Sequence, residues 1–365
     1  MTRYYSRRQF LNTAAAGSAA ALAAPTIVTA KKTDGPTIVG VAGHQYEVQH
    51  MWPQLPEKYR WQTTHNVAFD SAGLLYVIHQ GRGEEKPEHR ETIFVFDDQG
   101  KFIRAFGAEF IGGGHGIEIR NEGGQDFLYV CAYQEQRSFA KLDTNGEMVW
   151  RQGAPMESGF YAAGEDQFPR DDSPWGRNRF LPTNIAFHPD GGFFLSDGYG
   201  AWRIHRYDQD AKWVSSFGKP ADEQKSAGTF HLPHGIWIDS RGDEPLVVVA
   251  DRVLARLQWF TLAGEHRRTQ EGFILPANID TYGELMLVPD LSARVTLLDQ
   301  QNNVICHLGE GMTPAKKVKA DRGKEATWVD GEFIHPHDAC FDNDGNIYVA
   351  EWVARGRVTK LRRLS

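Results

Sequence analysis

Apolar and polar residues alternate in short runs along most of the chain, and the alternation returns in one form six times. The segments HNVAFDSAGLLYVIHQ (65–80), HGIEIRNEGGQDFLYVCAY (115–133), TNIAFHPDGGFFLSDGYG (183–200), HGIWIDSRGDEPLVVVADR (234–252), ANIDTYGELMLVPD (277–290) and HDACFDNDGNIYVAEW (337–352) each read as strand, turn, strand. A period of two predicts half-buried β-strands, and the Asp, Asn and Gly between them predict tight turns. Most are followed by a third strand, a polar turn and a fourth strand, as in ETIFVFDDQGKFIRAF (91–106), RIHRYDQDAKWVSSF (203–217), RLQWFTLAGEHRRT (256–269) and RVTLLDQQNNVICHL (294–308). Four short antiparallel strands recurring at roughly 40–60 residues describe the blades of a propeller. The chain is therefore expected to be all-β, a six-bladed β-propeller over 31–365. Two separate β-sandwiches would be equally rich in strands but would not repeat one local grammar six times. TIVGVAGHQYEVQH (37–50) can supply a strand that closes the ring against the last blade. Long stretches at 151–180 and 309–333 interrupt the repeat, and loops of that length in a compact domain are functional or disordered.

Composition narrows the function. With 365 residues, 41% of them hydrophobic and 12% aromatic, the chain can bury a large core. A net charge of −7, with PAKKVKADRGK (314–324) as the only Lys-rich run, excludes nucleic acid as an expected partner. Cys131, Cys306 and Cys340 lie far apart and form no C-x-x-C pair, so neither a disulfide framework nor a thiolate zinc site is expected. Any metal would be held by His and carboxylates.

The first thirty residues, MTRYYSRRQFLNTAAAGSAAALAAPTIVTA, place Arg7-Arg8 before an Ala-rich, weakly apolar run. They read as a twin-arginine export signal, predicting a periplasmic or extracellular protein that leaves the cytoplasm already folded. The apolar run is too short to span a membrane, so no membrane span is expected. A monomer is expected.

The six repeats can be superposed at the residue that opens each first strand: His65, His115, Thr183, His234, Ala277 and His337. In a propeller these strands line the central channel, so the six positions form a ring around its axis. His115, His234 and His337 come from the second, fourth and sixth blades, about 120° apart, and would converge as a tripod. Three neutral imidazoles with an open fourth position are the ligand set of a catalytic zinc. His65 occupies the same ring as a fourth imidazole and is open to a role as ligand, second-shell group or packing. His335, two residues before His337, falls near the channel mouth. Arg252 and Arg256 in ADRVLAR read as partners in blade-edge salt bridges.

HGIEI, LPTNIAFHPDGGFFLSDGYGAWRI, FHLPHGIWI, VVADRVLARLQWF and IHPHDACFDNDGNIYVAEW together resemble the peptidyl-α-hydroxyglycine α-amidating lyases (peptidylamidoglycolate lyases), a branch of the NHL-repeat six-bladed propellers, over roughly 60–362. The resemblance implies that His115, His234 and His337 bind zinc. It implies that Asp338 holds a structural calcium with the backbone carbonyls of Val67 and Ile117. Tyr199 of the D-G-Y motif would be the catalytic base, and Arg82 in IHQGRGEE the clamp on a substrate carboxylate. Gly200 stands where the family commonly has a disulfide-bonded cysteine, His335 where it has an apolar residue, and Asn184 where an Asp is usual.

These groups suit one reaction. A carbinolamide, R-CO-NH-CH(OH)-COO⁻, separates into an amide and glyoxylate once its hydroxyl proton is removed and the C–N bond is free to break. Zinc on that hydroxyl would lower its pKa, and a tyrosine, with an ordinary pKa of about 10, serves as base only beside positive charge. The expected ligand is thus a small molecule or peptide carrying a carboxylate. Two other readings remain: a lactonase-like hydrolase with calcium on Glu, Asn and Asp, for which Asn184 and Asn278 would count, and a non-catalytic NHL propeller that binds a partner. Three histidines favour a borderline metal over a hard one.

Overall fold

The computed structural model describes residues 35–81, 89–310 and 322–364. The expected export signal lies outside these residues, as does Arg82. From Pro36 onward the chain forms one compact unit.

Six antiparallel sheets account for nearly all of it. Blade one comprises Thr64–Phe69, Leu75–His79, Ile93–Phe96 and Phe102–Phe106, and blade two Gly114–Glu122, Gln125–Ala132, Ser138–Asp143 and Met148–Gln152. Blades three, four and five open on Asn184–Phe187, Pro233–Asp239 and Asp280–Tyr282, each followed by three more strands in up-and-down order. Blade six takes Pro336–Phe341, Ile347–Glu351 and Arg357–Arg363 from the C-terminal end. Its outer two strands come from the start of the unit, a hairpin of Ile38–Val41 and His44–Gln49 whose second strand pairs with Arg357–Arg363. The ring is thus closed by hydrogen bonds between the two ends of the unit, by two strands rather than the one expected, and the repeat count of six is correct.

The turns follow from the acidic residue that ends each outgoing strand. Asp70, Asp97, Asp143, Asp208 and Asp342 each turn a carboxylate oxygen back onto the amides two and four residues on. This Asx arrangement mimics a backbone turn. The fourth turn position has positive φ, and glycine fills it at Gly73, Gly100, Gly146 and Gly345.

The core is divided among the blade interfaces. Ala68, Ile78 and Val95 of blade one meet Ile117, Val130 and Ala140 of blade two, and comparable clusters fill each of the other five interfaces. Tyr348, Ala350 and Val358 against Val67, Val77 and Phe94 complete the circle. Among the described residues no helix is long and apolar enough to cross a membrane.

In blades three to six a carboxylate at the end of the second strand fixes the segment that enters the first strand. Asp197 accepts the amide of Leu181, Asp251 that of His231, Asp290 those of Ile274 and Leu275, and Glu351 those of Ile334 and His335. In blades four to six an arginine from the third strand pairs with the same carboxylate: Arg256 with Asp251, Arg294 with Asp290 and Arg357 with Glu351. Arg256 therefore has its expected role.

The latch predicts a stability effect. Glu351→Ala would strand a buried guanidinium and two amides, so a loss of roughly 3–5 kcal/mol is expected. Urea unfolding monitored by circular dichroism measures it, and a loss under about 1 kcal/mol would show that the latch is not what holds blade six.

Candidate metal centre

Four of the six first strands are irregular, and the irregularity falls on the histidines. In blade one the register runs from Thr64 opposite His79 to Asn66 opposite Ile78, leaving His65 as the extra residue. The same displacement isolates His115 between Gly114 and Gly116, His234 with Gly235 between Pro233 and Ile236, and His337 between Pro336 and Asp338. A β-bulge re-aims the side chain it carries. Here it turns four imidazoles together, with ring centroids 4.7–5.0 Å apart for each pairing of His115, His234 and His337.

The next blade orients each tripod histidine. Nδ1 of His115 lies 2.8 Å from the carbonyl oxygen of Thr183, Nδ1 of His234 2.7 Å from that of Ala277, and Nδ1 of His337 2.8 Å from that of His65. A carbonyl can only accept, so each Nδ1 is the donor and each Nε2 is left with its lone pair. Burial pushes His115 down to about 3 and holds His234 and His337 well below the ordinary histidine value. The nearby Arg252 guanidinium adds to this at all three. All three are therefore neutral at physiological pH.

Nε2 of His234 and Nε2 of His115 are 3.1 Å apart. Two lone pairs at that distance repel unless a cation lies between them. Two nitrogen ligands of a tetrahedral zinc, each about 2.0–2.1 Å from the metal, stand roughly 3.3 Å apart. The donor set therefore fits a borderline divalent metal. His65 joins it: the metal-ligating atoms of His65, His115 and His337 all lie within 4.8 Å of one another.

Tyr199 stands over this cluster. Its hydroxyl is 3.1 Å from Nε2 of His234, and Nη1 of Arg252 donates to the same hydroxyl at 3.1 Å. Its ring stacks on Tyr133 at 5.3 Å and meets the edge of Trp175, which the 151–180 loop brings in half-exposed. Arg177 of that loop donates to the Tyr199 carbonyl. The loop is held from beneath by the buried Glu165, which accepts from Arg137, Arg179 and the Phe180 amide.

Arg252 departs from expectation. The pattern ADRVLAR suggested a blade-edge salt bridge, yet Arg252 is buried beside Tyr199 with Nε and Nη2 unpartnered, and burial lowers its pKa. Asp251, the adjacent carboxylate, is already taken by Arg256 and Gln258. Tyr133, which accepts from Gln80 and lies 4.9 Å from the His115 ring, was also missed. Its sequence signal was its place at the end of a second strand, beside the ring. His335 bonds through Nδ1 to the Leu291 carbonyl and faces Trp352.

The next residue along each first strand forms a second ring: Asn66, Gly116, Asn184, Gly235, Asn278 and Asp338. Asn184 donates to Asn278, Asn278 donates to Asp338, and Asp338 accepts the amide of Val67. The glycines are there because their neighbours' backbone occupies the space a side chain would need: a Cβ on Gly235 would lie 2.4 Å from Cα of Asn278. Farther along the strands, Val67, Glu118, Asn278, Asp280 and Asp338 line a cavity of about 290 Å³. Burial, reinforced by mutual repulsion, raises Glu118 well above the carboxylate range, while burial raises Asp280 and Asp338 to about 7. Ile117 is buried in the blade one–blade two cluster.

The chain is 27% identical over 283 residues to peptidyl-glycine alpha-amidating monooxygenase B of Xenopus laevis, covering 75% of this chain and 29% of that protein. It is 23% identical over 337 residues to peptidyl-alpha-hydroxyglycine alpha-amidating lyase 1 of Drosophila melanogaster, covering 84% of this chain and 58% of that one. A probable lyase of the same description from Caenorhabditis elegans is 28% identical over 173 residues, 47% of this chain and 44% of its own. The chain resembles the peptidyl-α-hydroxyglycine α-amidating lyases. It spans between about a third and somewhat over half of these relatives. No family model matches. Virginiamycin B lyase from Staphylococcus aureus (TM-score 0.52, 11% identity, 87% of this chain and 100% of that chain) and a gluconolactonase from Xanthomonas campestris (TM-score 0.55, 12% identity, 90% and 95%) share the fold.

The departure from the amidating lyases at Gly200 has a steric cause. A Cβ there would lie 2.1 Å from a carboxylate oxygen of Asp197 and 2.2 Å from the Arg179 carbonyl, and all three cysteines are free.

A Cβ on Gly116 would lie 2.4 Å from the Thr183 carbonyl oxygen, the acceptor that orients His115. Gly116→Ala is expected to cost about 1–3 kcal/mol by overpacking and to lower the protein's retained metal. Thermal unfolding and elemental analysis of one preparation test both, and a variant equal to wild type in both would remove the carbonyl from its orienting role.

Proposed function

We propose that this protein is an exported zinc-dependent lyase of the amidating-lyase type, cleaving the C–N bond of an α-hydroxyglycine-like carbinolamide to an amide and glyoxylate. The observation that carries the reading is the position of the Tyr199 hydroxyl, 3.1 Å from both Nε2 of His234 and Nη1 of Arg252. That position, beside a candidate metal ligand and a guanidinium, supports reading the phenol as the base. Zinc, when bound by His115, His234 and His337, supplies a Lewis acid that lowers the pKa of an oxygen it meets.

The chain's own groups perform the rest. Tyr199 Oη, as phenolate, takes the carbinol proton as the carbonyl of glyoxylate forms, the C–N bonding pair leaves with nitrogen, and Tyr199 returns the same proton to the amide nitrogen, which restores the phenolate. Arg252 meets the phenolate oxygen with positive charge through Nη1. Its side edge, Nε and Nη2, is a two-donor fork free of protein partners, suited to the substrate carboxylate. Arg82, the arginine expected in that role, lies outside the described residues and stands beside Arg252 as a candidate for the clamp. Tyr133 and Trp175 wall the site on either side of Tyr199.

At the carboxylate end of the channel, Asp338 with the carbonyls of Val67 and Ile117 is assigned to a structural calcium. The buried Asp280 and Asp338, with the half-buried Glu118 beside them in the same cavity, support a hard cation there. A leader of the twin-arginine type would place the folded, metal-loaded protein in the periplasm or outside the cell. The lactonase-like reading draws on Asn184 and Asn278, but those amides are spent on each other and on Asp338.

Mature protein purified without a metal-affinity tag or added metal is expected to carry about one equivalent of zinc by elemental analysis, lost in His115→Ala. Calcium alone, or no metal, would leave a lactonase-like or binding propeller. With α-hydroxyhippurate as substrate and glyoxylate as the product measured, Tyr199→Phe is expected to lower kcat by about 10²–10⁴-fold, and unchanged turnover would remove Tyr199 from the mechanism. Arg252→Ala is expected to raise KM as well as lower kcat, and a variant that keeps its KM would reject the carboxylate clamp.

A further inference from the structure

His65 is the one histidine of the ring that the lyase reading does not use. It sits at the same bulged position as His115, His234 and His337, and its side chain is 1% exposed. Its ring centroid is 4.8 Å from those of both His115 and His337, and its ligating nitrogen lies within 4.8 Å of theirs. Its backbone is committed as well, because its carbonyl accepts Nδ1 of His337.

One difference separates it from the other three. Their Nδ1 atoms each hold a carbonyl oxygen, whereas Nδ1 of His65 is buried with no partner. An unsatisfied buried ring nitrogen is costly, and no charged protein group bonds it. Because Nδ1 of His65 holds no carbonyl, it can be turned toward a metal held by the neighbouring rings without breaking a hydrogen bond, and imidazole is a ligand that zinc, copper, iron and nickel all accept.

We propose that His65 is a fourth protein ligand of the metal, giving a four-imidazole centre at rest in which His65 is the ligand that gives way to substrate. The three pinned imidazoles keep their aim through the next blade's carbonyls. His65 has no such tether, so it can swing aside when the substrate oxygen arrives, or remain while the metal becomes five-coordinate. The incoming ligand is then selected by its ability to displace an imidazole, which favours an anionic or readily deprotonated oxygen. The inference rests on the proposed metal site and adds to it the resting coordination number.

The test is zinc-edge X-ray absorption on the full mature chain loaded with one equivalent of zinc, alongside zinc affinity by competition with a chromophoric chelator. Wild type is expected to show four nitrogen ligands with the scattering of four imidazoles. His65→Ala is expected to show three imidazoles and one oxygen, with affinity at least tenfold weaker and circular dichroism unchanged. His65→Asn, which keeps a polar group of smaller volume, guards against a folding defect and should match the alanine variant. Three imidazoles in wild type, or variants with wild-type spectrum and affinity, would overturn the assignment while leaving the lyase reading intact. A wild-type protein that takes up no zinc would overturn both.

Discussion

The hydrogen bond from the Nδ1 of one blade's histidine to a backbone carbonyl of the next is the interaction on which the site depends. His115 relies on blade three, His234 on blade five, and His337 on blade one through the carbonyl of His65. The last of these crosses the seam between the two ends of the folded unit. It forms only when blade six, whose inner strands come from the C-terminal end of the unit, has met blade one. The ligand geometry is thereby coupled to ring closure. An open or partly frayed ring could keep its sheets and most of its interface clusters while losing the convergence of the three lone pairs.

Buried charge is handled differently at each level of the channel. Around the rim, Asp251 and Glu351 carry both amide and guanidinium partners, so each charge is compensated where it lies. At the histidine level the groups are neutral and their charge would come from a metal. At the far end Glu118, Asp280 and Asp338 crowd together without a cationic partner among the described residues, and their raised pKa values reflect that. Borderline nitrogen donors and hard oxygen donors are thus kept at successive positions along the same strands. A borderline metal and a hard cation could occupy one channel without competing for ligands.

The architecture was legible because its period is. Six recurrences of strand, Asx turn and strand leave little freedom in blade count, and aligning them at the first strand placed four histidines on one ring before any coordinates. The bulges were not legible. They arise where a glycine, proline or asparagine beside the histidine meets a neighbouring blade at van der Waals distance, as at Gly116 and Thr183, and that proximity belongs to the assembled ring. Arg252 was misread for a related reason. DRVLAR, DLSAR and EWVARGR each place the latch arginine four to six residues after the carboxylate, so one arginine per blade is consumed by the latch. The local sequence does not reveal that in blade four Arg256 fills that place and leaves Arg252 to face the channel. Tyr133 was overlooked because its neighbours CAY and QEQ carry no charge or repeat signature that sets it apart.

The comparison of blades also bears on how such a site could arise. Even-numbered blades supply a histidine followed by glycine or aspartate, and odd-numbered blades a carbonyl followed by asparagine, so the ring alternates between residues that aim and residues that are aimed. The asparagines then need the room that Gly116 and Gly235 leave open, which ties the composition of one blade to that of the next. Blade one breaks the alternation, because His65 gives a carbonyl to His337 like an odd blade and presents an imidazole like an even one. The place that Thr183, Ala277 and His65 fill for the other three is held in blade two by His115, yet Nδ1 of His65 has no hydrogen-bond partner. The one untethered ring nitrogen of the four thus lies in the blade where the alternation is broken.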